Sequence, residues 1–183
     1  MDQYIDQMTG VYNAGFPYAA LMLALAVPDI CATLELPTGS KPEHQHKRYK
    51  RWFDTNLAQH VTLLSADDCW SLRCGVIHEG KFGNKDKKFD KVFFSLGVGE
   101  AMISDSGFIG SDGILKIVAG KHIGVSLPKF IDAVCFAVTE WLDKNAGNPN
   151  VQGNLAKLVR WYPNGFPVAG GDLTLTTGAP CIG

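Results

Sequence analysis

Ser65-Ala66-Asp67-Asp68-Cys69-Trp70-Ser71-Leu72-Arg73-Cys74-Gly75-Val76-Ile77-His78-Glu79-Gly80 is the stretch whose reading decides the fold. Ser65 is a favoured helix N-cap, and Asp68 stands three residues later in a capping-box-like position. Asp67 and Asp68 also suit the positive end of the helix dipole. A helix is predicted to run through Trp70, Leu72, Arg73, Val76 and Ile77 to His78, with Gly80 placed to end it. Arg73 and His78 stand in an Arg-x4-His spacing. At about 100° per residue they lie roughly 140° apart and flank one helix surface. An arginine in so apolar a segment needs an anionic partner or a solvent-filled cleft.

Other helices surround this one in sequence. Tyr4, Ile5 and Met8 keep helical spacing before Gly10. Pro17 suits a first helical turn, and Ala19 to Leu25 are strong helix formers. That segment is apolar on nearly every side, so it is expected to be a central core helix. Pro28 is expected to kink or divide it. A further helix is predicted from Glu43 to about Val61, with Tyr49, Trp52, Phe53 and Leu57 as its apolar stripe. That spacing assigns Tyr49 and Trp52 to the core rather than to base stacking. Phe130, Ile131, Val134, Cys135, Val138, Trp141 and Leu142 mark another helix, ended by Asn145 to Pro149.

Residues 91–98 and 114–125 are rich in Val, Ile and Phe and read as strands. The expected class is therefore mainly α (α+β). A helical bundle carries a β-hairpin or meander insertion at 83–125, between its third and fourth main helices. Residues 147–183 form an irregular C-terminal extension, with a short helix around 151–159 and a strand at 173–177. The whole chain, 1–183, is expected to be a single domain.

Composition bounds the function classes. Hydrophobic residues are 46% and charged residues 19%, too apolar for a disordered chain. The 17 basic and 18 acidic residues leave a net charge of -1, which excludes nucleic-acid binding by bulk charge alone. The five cysteines are odd in number and hold no Cys-x-x-Cys, so reduced buried thiols are expected. His44 and His46 lack a second short-spaced pair, so no metal or other cofactor is expected. The apolar run from Phe16 to Val27 is shorter than the roughly 20 residues of a membrane span. No membrane association and a cytoplasmic location are expected.

The stretch Leu72 to Gly80 resembles the motif of the HEPN superfamily, helical-bundle proteins of which many cleave RNA. Val27-Pro28-Asp29-Ile30-Cys31 and Arg48-Tyr49-Lys50-Arg51-Trp52 are similar to segments of bacterial relatives. The resemblance covers residues 16–82, and 127–146 as a helix in the expected place. It implies that Arg73 and His78 are a catalytic pair in metal-independent RNA cleavage. A ribose 2′-OH would attack the adjacent phosphate and leave a 2′,3′-cyclic phosphate. Imidazole exchanges protons near neutral pH and suits general acid–base work. Guanidinium grips phosphate oxygens and offsets charge developing on them. The resemblance also implies a homodimer, with two copies of the motif meeting at a two-fold interface. A toxin or defence role follows by the same analogy, with an antitoxin or other protein partner. One residue departs from the family pattern. The position after the arginine is often polar in active members, and here it is Cys74, a weak donor.

Charge is concentrated in two segments. Residues 41–52 carry Lys41, Lys47, Arg48, Lys50 and Arg51 against Glu43. Residues 81–91 carry Lys81, Lys85, Lys87, Lys88 and Lys91 against Asp86 and Asp90. Lys47, Arg48, Lys50, Arg51, Lys81 and Lys85 are thus candidates for RNA binding, or simply members of solvated faces. On spacing alone, Arg-x4-His equally describes an arginine bridged to Asp68 or Asp54 and a histidine favoured by the helix end. The second functional reading is a non-catalytic HEPN-like module that binds RNA, a nucleotide or a protein partner.

Overall fold

The computed structural model describes residues 1–39, 43–80, 91–96, 122–164, 167–170, 173–176 and 180–182. It is mainly helical. The helices are α1 (Asp2–Asn13), α2 (Pro17–Leu34), α3 (Gln45–Trp52), α4 (Ala66–Cys74), α5 (Leu127–Lys144) and α6 (Pro149–Leu155). Single π turns, Phe53–Leu57 and Gly75–Glu79, extend α3 and α4.

The apolar composition of α2 makes it the hub. It packs against α1, α3, α4, α5 and α6. Ala20, Ala24, Val27, Cys31 and Ala32 are fully buried along it. Small side chains at these positions let five neighbours approach one rod. Aromatic contacts tie the rest of the bundle together. The Trp52 and Trp141 rings meet edge-on at 6.2 Å, joining α3 to α5. Asn154 of α6 donates to the carbonyls of Leu34 and Leu36, satisfying acceptors that the end of α2 leaves open.

Of the kink or division expected at Pro28, division does not occur. The helix continues to Leu34 with Pro28 inside it. A proline ring crowds the carbonyls of the preceding turn and removes one donor. Here two tyrosines donate to that turn: the Tyr4 hydroxyl to Leu23 O at 2.9 Å and the Tyr49 hydroxyl to Leu25 O at 3.1 Å. Val27, Pro28, Asp29, Cys31 and Ala32 are all buried around the proline. Continuity through Pro28 also lengthens the apolar run. By length and composition α2 could cross a membrane, with mean hydropathy 1.6 over 18 residues, and half of that window is buried in this fold.

The helix predicted over 43–61 is shorter, with α3 ending at Trp52 and its π turn at Leu57. The stripe of Tyr49, Trp52, Phe53 and Leu57 is buried as the spacing requires.

The expected hairpin is corrected. Strands β1 (Lys91–Ser95) and β2 (His122–Ser126) pair in parallel, Lys91 opposite His122 and Ser95 opposite Ser126. Parallel strands need a crossover and do not form a hairpin. Residues 97–121, where part of the second expected strand falls, lie outside the described residues. β2 leads directly into α5, and Phe94 of β1 packs on Phe130 of α5 at 5.5 Å. That contact seats the pair on the bundle.

Among the described residues, the C-terminal part holds two short antiparallel pairs. β3 (Trp161–Tyr162) pairs with β6 (Cys181–Ile182), and β4 (Pro167–Gly170) with β5 (Leu173–Thr176). The side-chain amide of Gln3 fastens this region to α1. Its Nε2 donates to Trp161 O and its Oε1 accepts from Trp161 N, both at 3.1 Å.

Candidate functional site

Arg73 is set by the start of its helix. The Ser65 hydroxyl accepts from Asp68 N, and the Asp68 carboxylate accepts from Ser65 N at 3.0 Å, a full capping box. Leu72 and Val76 fix the rotation of the helix by facing the core. Arg73, between them in sequence, then sits at the margin of the core, 14% exposed.

The π turn closes the distance between Arg73 and His78. In an unbroken α-helix residues five apart flank the surface. From Gly75 the hydrogen bonds lengthen by one residue, and Gly80 N donates to Gly75 O. An i→i+5 turn winds less per residue than an α-helix, which narrows the angle between residues five apart. Arg73 Nη1 consequently meets His78 Nε2 at 2.8 Å. Guanidinium only donates, so Nε2 is the acceptor and the ring proton lies on Nδ1. Gly80 ends the turn at φ 64°, the left-handed conformation that suits glycine. His78 is exposed.

Asp29 is the anionic partner that Arg73 requires. Arg73 Nη2 donates to Asp29 Oδ2 at 2.9 Å, and Gln45 Nε2 donates to the same oxygen. Neither Asp68 nor Asp54 serves this role. Asp68 is committed to the capping box, and Asp54 lies exposed in the first π turn. The other face of the guanidinium covers the Trp70 indole, 5.3 Å from its centroid. Arg73 Nε and Asp29 Oδ1 are buried without a hydrogen-bond partner. The cluster is thus a planar guanidinium held by a carboxylate, an indole and an imidazole, with the imidazole facing solvent.

The sequence contained a signal for Asp29. It is the single charged residue in Pro17–Leu34, and a carboxylate on a buried apolar helix needs a cationic partner. Trp70 gave a weaker signal, since an indole one turn before an arginine is common on packed helices.

The basic candidates separate. Lys47 is exposed on α3. Lys50 pairs with Asp67, and Arg51 pairs with Glu43, so both carry neutralising partners. Arg48 is 8% exposed and donates to the Glu43 carbonyl, so its guanidinium braces the entry to α3. Lys81 and Lys85 lie outside the described residues.

The thiols near the site differ in setting. Burial pushes the Cys69 and Cys31 thiols well up, with Asp68 and Glu35 respectively adding to the effect. Burial likewise raises the Tyr49 phenol, which stands near Arg73 and Asp29. Cys74 is half-buried. No cluster of three or more His, Cys, Asp or Glu side chains suited to a metal occurs among the described residues.

A scan against protein-family models finds no match. Searches of curated proteins and of solved structures find none either.

Proposed function

We propose that the chain is a metal-independent endoribonuclease of HEPN type, with Arg73 and His78 as its catalytic pair. The observation that carries this reading is the 2.8 Å contact between Arg73 Nη1 and an exposed imidazole. A cation with a fixed planar fork and a proton-exchanging ring, side by side at a surface, are the two groups that phosphodiester transesterification needs.

The hydrogen bonds support one order of events. Without substrate, His78 Nε2 is occupied by Arg73. An entering phosphate draws Nη1 onto its oxygens, because an anion is a stronger acceptor than neutral imidazole. This frees Nε2 to take the proton from the ribose 2′-OH. The resulting alkoxide attacks the phosphorus, the 5′-oxygen leaves, and a 2′,3′-cyclic phosphate remains. A second proton-transfer group protonates the leaving oxygen. In a homodimer the partner's copy of the imidazole fills that role, giving one composite site from two motifs. Phe16 and Tyr18 support such a surface. They are 62% and 49% exposed, and the Tyr18 hydroxyl donates to Val76 O inside the π turn. Asp29 keeps Nη2 in place while Nη1 changes partner.

One observation favours the non-catalytic reading. The Asp29 carboxylate already neutralises Arg73, which weakens its pull on phosphate. In that reading Arg73 is a structural cation and the surface binds RNA, a nucleotide or a protein partner without turnover.

Substrate chemistry separates the two. An all-ribose oligonucleotide should be cut, with 2′,3′-cyclic phosphate ends on the products. The same sequence with 2′-deoxy sugars should survive. Equal cutting of both substrates would reject the 2′-OH mechanism. Binding of both without cutting would support the non-catalytic module.

A further inference from the structure

A line of planar groups leads from the entry of α3 to His78. His44 is the N-cap of α3, and His46 lies in its first turn. Their rings are 5.8 Å apart with planes within 25°. The His46 ring is 6.4 Å from that of Trp70 on α4. Trp70 in turn carries the Arg73 guanidinium at 5.3 Å, and Arg73 reaches His78. Buried Tyr49 meets the indole edge-on at 5.2 Å and fixes it from the core side. His44 and His46 are exposed, and Trp70 is half-buried.

Packing does not account for this arrangement. Exposed rings contribute little to a core, and two neighbouring imidazoles in water gain little from stacking on each other. Three carboxylates beside the line are each paired with a cation. Glu43 is paired with Arg51, Asp67 with Lys50 and Asp29 with Arg73. Lys47, next to His46 in the chain, is exposed and makes no ion pair among the described residues. Planar π-faces flanked by cationic side chains are the means by which proteins hold unpaired nucleotides.

We propose that His44, His46 and Trp70 form a stacking strip for unpaired bases that adjoin the phosphate at Arg73. The proposal rests on the RNA reading and gives it a substrate-positioning surface. Bases lie against the imidazole and indole faces, the backbone runs along the Lys47 side, and the next phosphate reaches Arg73. A duplex is excluded because its bases already stack on each other.

The test separates binding from cleavage. A fluorescent 2′-O-methyl octanucleotide has no free 2′-OH and reports binding alone, by polarisation. Wild type should bind the single strand more tightly than its duplex. His46→Ala, at an exposed position, and Trp70→Ala should each weaken single-strand binding by about 5- to 100-fold. Trp70→Phe, which retains a ring, should recover most of it. Circular dichroism melts identify any variant that fails to fold. Absent single-strand binding, equal affinity for the duplex, or unchanged affinity in the folded His46→Ala and Trp70→Ala proteins would each overturn the strip. Cleavage of the all-ribose octamer is measured in parallel. Ring-dependent binding without cleavage keeps the strip and rejects the nuclease. Cleavage that the ring substitutions leave unchanged does the reverse.

Discussion

Asp29 Oδ2 lies 2.9 Å from Arg73 Nη2, although the residues are 44 positions apart in the chain. The pair joins α2, the hub of the bundle, to the helix that carries the candidate site. Both side chains are largely shielded, at 12% and 14% exposure. Removing one member leaves the other charge buried. Asp29→Ala should therefore lower stability by about 3–5 kcal/mol, read by urea denaturation. Replacing both members, Asp29→Leu with Arg73→Met, should recover much of that loss while leaving RNA uncut. A single variant as stable as wild type would show that the pair is not buried in solution.

The helices were legible because their signals are local. Ser65 and Asp68 mark the start of α4, Gly80 marks its end, and the stripe from Tyr49 to Leu57 marks a buried face. The site was only half legible. Arg73 and His78 stand out by spacing, but α-helical geometry sets them 140° apart. The π turn that joins them has no residue signature at this length. Asp29 is remote in sequence, so nothing local links it to Arg73. The parallel pairing of β1 with β2 was hidden for a related reason. Strand composition is local, whereas pairing direction depends on what lies between the strands.

The π turn depends on its glycine. Gly80 sits at φ 64°, and among the described residues, its chain neighbours aside, no atom lies within 4 Å of where a Cβ would be placed. The backbone strain of Gly80→Ala should cost about 1–2 kcal/mol. Gly80→Asn, which tolerates the left-handed region, should cost less. The expected functional effect is larger for alanine, since a frayed turn releases His78 from Arg73. Thermal melts and cleavage rates of the two variants check both statements. An alanine variant with wild-type stability and rate would contradict them.

The N-terminal cap of the same helix offers an independent lever. Ser65→Ala removes the hydroxyl that accepts from Asp68 N and should cost about 1 kcal/mol. Stability should fall with little change in cleavage at low temperature, because Arg73 lies two turns away. Urea denaturation and a cleavage assay at two temperatures distinguish these effects.

Thiol reactivity should follow burial. Cys31 and Cys69 are enclosed, and burial pushes their thiols up. The folded protein should therefore leave both unmodified by iodoacetamide at pH 8, with half-buried Cys74 alkylated before either. The sign of the pH effect follows. Above about 8.5, thiols of the unfolded chain lose protons that the folded chain retains. Stability should then fall as pH rises, since the folded state binds more protons. Peptide mass spectrometry and denaturation at pH 8 and pH 10 read the two effects. Early labelling of Cys69, or stability rising with pH, would refute the burial assignment.

The central claim is that Arg73 and His78 together cut RNA without a metal. Its most direct test is cleavage of a single-stranded oligoribonucleotide in excess EDTA by wild type, Arg73→Ala and His78→Ala, each purified identically. General acid–base catalysis contributes about 10²- to 10⁴-fold, so His78→Ala should lose at least 100-fold in rate. Arg73→Ala should fall comparably, and wild-type cleavage should persist in EDTA. Equal cleavage by all three proteins, or none by wild type, would contradict the claim.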